Sequence, residues 1–91
     1  MPYRVLIPHH AKKQLRDIPR EFASRILDAL EGFAQDLDYA RWDVRKVRDS
    51  PKHQPHYRLR SGDYRVTLLI THTSLIIEVI SVRRRKGNLK Y

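Results

Sequence analysis

The segment Tyr57-Arg58-Leu59-Arg60-Ser61-Gly62-Asp63-Tyr64-Arg65-Val66 constrains this chain more than any other. It reads as a tight β-hairpin. Gly62-Asp63 forms a two-residue loop with glycine at the first loop position, a strong local hairpin signal. Ser61 then pairs with Tyr64, Arg60 with Arg65, and Leu59 with Val66. Side chains alternate across a strand. Leu59, Tyr64, Val66, Leu68 and Ile70 therefore share an apolar face suited to a core. Arg58, Arg60, Arg65 and Thr67 share the other. Two arginines set directly opposite each other repel, at about 0.2–1 kcal/mol. A face that only needed to be wet would do better with alternating signs. Guanidinium groups held together on strands suit phosphate, because each fork matches two phosphate oxygens.

With 91 residues the chain is expected to form one domain, 1–91, with a modest core. It has no cysteine, which removes disulfides, thiolate zinc sites and a cysteine nucleophile, and fits a cytoplasmic location. The start, Met1-Pro2-Tyr3-Arg4-Val5-Leu6-Ile7-Pro8, is too short and too interrupted by proline for a signal peptide. No apolar run reaches the ~18–20 residues of a membrane span, so no membrane partner is expected. Nineteen Lys and Arg against ten Asp and Glu give a net charge of +9. Such a field favours polyanions. Arg83, Arg84, Arg85, Lys86 and Lys90 concentrate it near the end of the chain.

Tyr3 to Ile7 alternates as a first strand, ended by Pro8. His9 to Asp17 carries Ala11, Leu15 and Ile18 at helical spacing. Pro19 breaks that helix and starts the next. Phe22, Ile26, Leu30, Phe33 and Leu37 then mark an amphipathic helix over Arg20 to Leu37. Gly32 weakens it slightly and permits close packing. Trp42 to Val47 reads as a strand, Ser50 to Pro55 as a loop. The last strand runs from Leu75 to Val82. Leu75, Ile77 and Val79 fall on one face, Ile76, Ile80 and Val82 on the other, which fits a central strand covered on both sides. The expected fold is α+β: two N-terminal helices on one face of a small, mainly antiparallel sheet. The arginine face then looks outward into a shallow cleft.

Phosphodiester cleavage by a ribose 2′-hydroxyl needs a proton acceptor, stabilisation of the extra phosphate charge, and a proton for the leaving 5′-oxygen. Guanidinium groups serve the second need. Arg60 and Arg65 are placed for it, and Arg85 joins them if the last strand neighbours the hairpin. Tyr91 offers a ring to stack on a base and a phenol to hydrogen-bond. Arginine does not readily give up its proton. Of the five histidines, His9, His10, His53, His56 and His72, only His56 adjoins the arginine strand. The histidines show no metal-ligand spacing with carboxylates, so no metal or other cofactor is expected.

The hairpin resembles that of the RelE/ParE superfamily of toxins from type II toxin–antitoxin systems. Ile80-Ser81-Val82-Arg83-Arg84-Arg85 followed by Tyr91 is similar to the ending of RelE-type mRNA interferases. Tyr3-Arg4-Val5, Ala11-Lys12-Lys13-Gln14-Leu15 and Ile18-Pro19 match its beginning. The resemblance implies a metal-independent endoribonuclease that binds the ribosomal A site and cuts mRNA, and that a cognate antitoxin neutralises. It implies that Arg65 stabilises the scissile phosphate, that Arg85 acts near the leaving group, and that Tyr91 stacks on the mRNA base. Arg60 belongs to the same catalytic set, and Arg58, Arg83, Arg84, Lys86 and Lys90 are RNA-binding candidates. Arg58 and Arg60 stand where some relatives carry catalytic lysines. The alternatives are a ParE-like inhibitor of DNA gyrase without nuclease activity, and a basic RNA-binding module.

Overall fold

The computed structural model describes residues 2–85. The elements are β1 (Arg4–Leu6), α1 (His9–Arg16), α2 (Arg20–Asp36), β2 (Val44–Lys46), β3 (His56–Ser61), β4 (Tyr64–Thr71) and β5 (Ile76–Arg84). They form one five-stranded sheet in the order β1-β5-β4-β3-β2. β1 lies parallel to β5; the other neighbours are antiparallel.

Prolines set the helix starts. The carbonyl of Pro8 accepts the N–H groups of Ala11 and Lys12, and that of Pro19 accepts those of Phe22 and Ala23. Each proline therefore opens a helix without donating an N–H of its own. Leu37 ends α2 in the left-handed region, with φ 47°, and its N–H returns to the Phe33 carbonyl at 2.7 Å. A leucine adopts that conformation at a cost. Here its side chain packs against the core, which holds it there.

The core is a single layer between helices and sheet. Ala11, Leu15, Ile26, Leu30, Phe33 and Ala34 come from the helices, and Val44, Leu59, Val66, Leu68, Ile70, Ile77, Val79 and Val82 from the strands. The expected α+β arrangement stands, as does the hairpin register: Ser61 opposite Tyr64, Arg60 opposite Arg65, Leu59 opposite Val66. Gly62 takes φ 57° and Asp63 does not, the pattern of a type II′ turn.

Three expectations are corrected. Trp42 and Asp43 precede the second strand, which spans only Val44–Lys46. Trp42 instead lies over Gly32 of α2, and its Nε1–H donates to Asp36 Oδ1 at 2.9 Å. The last strand begins at Ile76 and continues to Arg84. Its faces also differ from simple alternation. Thr67 pairs with Ser81 but Leu68 pairs with Val79, so Ile80 is an extra residue in a bulge. The bulge returns Val82 to the core side with Ile77 and Val79. Ile76 and Ile80 are half-buried on the outer face; Ile76 lies between β1 and β4, and Ile80 between β4 and α1, in place of the second covering layer the sequence suggested.

Beyond Glu78 the outer edge of β5 has no strand partner, because β1 ends at Leu6. Helix α1 covers it. His10 Nε2–H donates to the Ile80 carbonyl at 2.8 Å, and Gln14 Oε1 accepts the Val82 N–H at 2.7 Å. Two residues one helical turn apart thus satisfy the backbone at the bulge, which would otherwise be an open edge.

Candidate functional site

The register collects the arginines on the face away from the helices. Arg60 is opposite Arg65, and Arg65 is opposite Arg83. Arg45 of β2 is opposite Arg58. The bulge matters here. Without it, Val82 would fall on the outer face and Arg83 would turn inward. With it, Arg83 stands beside Arg65, and the N–H of Arg85 donates to the Asp63 carbonyl, at 2.6 Å, one step past the end of β5.

The result is a groove of about 350 Å³ along the hairpin and β2. Seven cationic side chains line it, Arg45, Lys46, Arg48, Arg58, Arg60, Arg65 and Arg85, with Asp43 as the one carboxylate among the described lining residues. Asp43 Oδ1 lies 3.5 Å from Arg45 Nε. Arg58, Arg60, Arg65 and Arg85 form no ion pair among the described residues. Opposed cations without counter-charges destabilise the sheet, by about 0.2–1 kcal/mol per directly opposed pair. An anion with several oxygens reverses that cost. The strands beneath are firm, since Leu59, Val66 and Val82 behind Arg58, Arg60, Arg65 and Arg83 are buried in the core.

Of the residues singled out from sequence, Arg58, Arg60, Arg65 and Arg85 meet in this groove. Arg83 shares their face by register but does not line it. Arg84 lies on the opposite side of the sheet, in a larger groove of about 770 Å³ with Phe22, Arg25 and Tyr64. The Phe22 and Tyr64 rings there are 5.9 Å apart. Lys86, Lys90 and Tyr91 lie outside the described residues. His56 falls on the outer face by alternation with Arg58 and Arg60, but is not part of the groove wall. Among the described residues there is no group of three or more His, Asp or Glu placed to hold a metal ion, and no helix long and apolar enough to cross a membrane.

Arg45, Lys46, Arg48 and Asp43 were not foreseen as site residues. The signal was faint: two cations within a weakly marked strand and one just after it, with nothing local to say that Val44 would pair with Leu59. Two groups with displaced titration lie at the end of α2 and in the connection that follows it. A hydrogen bond from the Asp38 N–H, with those of Trp42 and Arg41, holds the Asp36 carboxyl below the ordinary aspartate range, against a smaller opposing effect of burial. Burial pushes the Tyr39 phenol up, helped by Tyr57 and Tyr3.

Fold and groove together define a small basic α+β domain with a phosphate-suited sheet face. Residues 5–89 match the family described as the ParE toxin of the type II toxin–antitoxin system parDE, and the chain belongs to that family. It is thus the toxin side of such a system, within the RelE/ParE superfamily. No curated protein matches the sequence. Solved structures do. The archaeal RelE–RelB complex from Pyrococcus horikoshii contains a chain 26% identical, with TM-score 0.80, over 94% of this chain and 98% of that one. The RelBE2 toxin–antitoxin complex of Mycobacterium tuberculosis is similar at 18% identity and TM-score 0.75, over 93% of each chain. The Escherichia coli RelBE complex is similar at 20% identity and TM-score 0.69, over 92% of this chain and 98% of that one.

Proposed function

We propose that this toxin is a ribosome-dependent endoribonuclease that cuts mRNA in the A site. The observation that carries this reading is the meeting of Arg58, Arg60, Arg65 and Arg85 in one unneutralised groove. In the proposed reaction the ribose 2′-hydroxyl loses its proton and its oxygen attacks the adjacent phosphorus. The P–O5′ bond breaks, and the 5′-oxygen leaves with the electron pair and takes up a proton. A 2′,3′-cyclic phosphate and a 5′-hydroxyl result. Arg60 and Arg65 hold the non-bridging oxygens as charge builds on them, and Arg85 serves the leaving oxygen. Such donors are worth most when fixed before the reaction begins. Tyr91 stacks on the base. The proton acceptor is Tyr91 or His56, since arginines occupy the positions of the lysines of some relatives and do not lose protons near neutral pH.

A cognate antitoxin is the protein partner, and the ribosome with its mRNA is the target, both met in the cytoplasm. The relatives from Pyrococcus and Mycobacterium are complexes of toxin with antitoxin, which supports the first of these.

A second reading has its own support. The matched family is the one described as ParE toxin, which favours a gyrase inhibitor that needs no nuclease residues. A translating extract separates the two. With the protein added, mRNA 5′ ends mapped within A-site codons support the nuclease. Intact mRNA with trapped gyrase–DNA complexes supports the inhibitor.

A further inference from the structure

The groove is longer than one phosphate requires. Its cations form two rows across the sheet. Arg60 and Arg65, with Arg83 beside them, make one row on β3, β4 and β5. Arg45 and Arg58 make the other on β2 and β3. Arg58 and Arg60 are two residues apart on one strand, which separates the rows by roughly 6.8 Å. Consecutive phosphates of an extended polynucleotide have a comparable spacing. Arg48, just after β2, lines the same groove on the side of the second row.

Arg60, Arg65 and Arg85 suffice to surround a single phosphate, each fork reaching two oxygens. That leaves Arg45, Arg48 and Arg58 without a task in the cleavage step. Asp43 lies 3.5 Å from Arg45 Nε and is the one carboxylate among the described lining residues, against seven cations. Three cations on the edge strand and its neighbour would repel one another less if they were spread out. Their gathering in the groove is accounted for by a second anion, held one step along the chain that carries the first.

We propose that Arg45, Arg48 and Arg58 form a second phosphate subsite, which binds a neighbouring phosphate of the single-stranded RNA whose scissile phosphate lies at Arg60, Arg65 and Arg85. The nature of the ligand rests on the nuclease reading. A single strand fits for two reasons. The groove is small, bounded by a hairpin and a three-residue edge strand. In-line attack by a 2′-oxygen also needs a nucleotide free to leave helical stacking, as unpaired RNA is. The subsite contacts backbone only. It therefore sets where along the strand the cut falls relative to bound phosphates, without reading the bases.

Binding of labelled oligouridylates of two, four and eight nucleotides, followed by fluorescence anisotropy across a salt series, tests this. For single strands each neutralised phosphate contributes about 0.7 to the slope of log K against log salt. The wild-type slope is expected to rise from the dinucleotide to the tetranucleotide. The Arg45→Gln/Arg48→Gln variant should lose about 0.7 of slope, one phosphate's share, on the longer oligomers and bind the dinucleotide as wild type does. Both positions are exposed, so circular dichroism should show an unchanged fold. Wild-type slopes in the variant at every length overturn the subsite, as does an equal length dependence with duplex RNA. The nuclease reading fails separately. If wild-type protein cuts no mRNA in a translating extract but shows the length-dependent slope that the variant loses, the subsite stands without the nuclease. If wild type cuts and the variant binds like it at all lengths, the subsite alone falls.

Discussion

Gln14 accepts the backbone N–H of Val82 at 2.7 Å, and this bond ties α1 to the bulged edge of β5. The bulge decides which face the last arginines occupy, so a helix residue far from the groove supports its geometry. Gln14→Leu keeps the size of the side chain and removes the acceptor. A half-buried N–H left without a partner costs about 1–3 kcal/mol. The Val82 amide should then exchange with solvent much faster than in wild type, while amides of the β3–β4 ladder change little. Unchanged Val82 protection would show that the bulge holds itself.

Gly32 and Trp42 give a result opposite in sign to helix propensity. In a free helix Gly→Ala stabilises by about 1 kcal/mol. Here a Cβ on residue 32 would fall onto the indole ring of Trp42, inside any permitted contact. Gly32→Ala is therefore expected to destabilise by about 1–3 kcal/mol, as other overpacked sites do. Denaturant unfolding followed by circular dichroism measures it, in both the wild-type and the Trp42→Ala backgrounds. Removing the ring should restore the usual preference, so Gly32→Ala in a Trp42→Ala background should be neutral or stabilising.

The carboxylate of Asp36 links stability to pH. It accepts hydrogen bonds from the Asp38 N–H and from Trp42 Nε1, each at 2.9 Å, and pairs with Arg41 at 3.2 Å. Its pKa is lowered on folding. A group with a depressed folded pKa contributes stability above its unfolded value and loses it as pH falls through the folded one. The stability gap between wild type and Asp36→Asn should thus be full at pH 7 and narrow below about pH 4. Unfolding at pH 7, 5 and 3 tests it, and a gap of constant size would show that the ionised form has no special role.

Antitoxin binding should respond to salt. With +9 of net charge and seven cations in the groove, an acidic segment that folds as it wraps the toxin is the expected complementary partner. Raising ionic strength shortens the range of such attraction. Affinity measured by calorimetry is expected to fall steadily from low to high salt, and a flat profile would point to a contact made by apolar residues alone.

Most of the scaffold was legible because its signals are local. The hairpin register followed from Gly62 and alternation, and α2 from the spacing of Ile26, Leu30 and Phe33. The bulge at Ile80 was barely legible. Five of the seven residues from Ile76 to Val82 are apolar, and the one sign of a slip is Ser81, which strict alternation with Ile77 and Val79 would put in the core. Phe22 illustrates the same limit: it continues the apolar stripe of α2 yet is 37% exposed, resting on Tyr64 at the rim of a groove. In the site, Arg58, Arg60 and Arg65 were visible since one hairpin fixes all three. Arg45 and Arg48 depend on a pairing between β2 and β3 across a long loop, and no neighbouring residue announces it.

Arg65 and Arg85 offer the most direct test of the proposed chemistry. Arg65 comes from β4 and Arg85 from just past the end of β5, and they meet in the groove, where the Arg85 N–H donates to the Asp63 carbonyl of the hairpin loop. Neither belongs to the core, so Arg65→Ala and Arg85→Ala should stay folded by circular dichroism. Loss of one preorganised donor slows a charge-building step about 10²–10³-fold. Growth arrest at matched expression should drop accordingly in each. The double variant should lose less than the product of the two, because residues that stabilise one transition state do not act independently. If both single variants arrest growth as wild type does, the groove is not where this toxin acts. If they lose growth arrest but wild-type protein leaves mRNA intact, the groove engages another target, and the gyrase reading takes precedence.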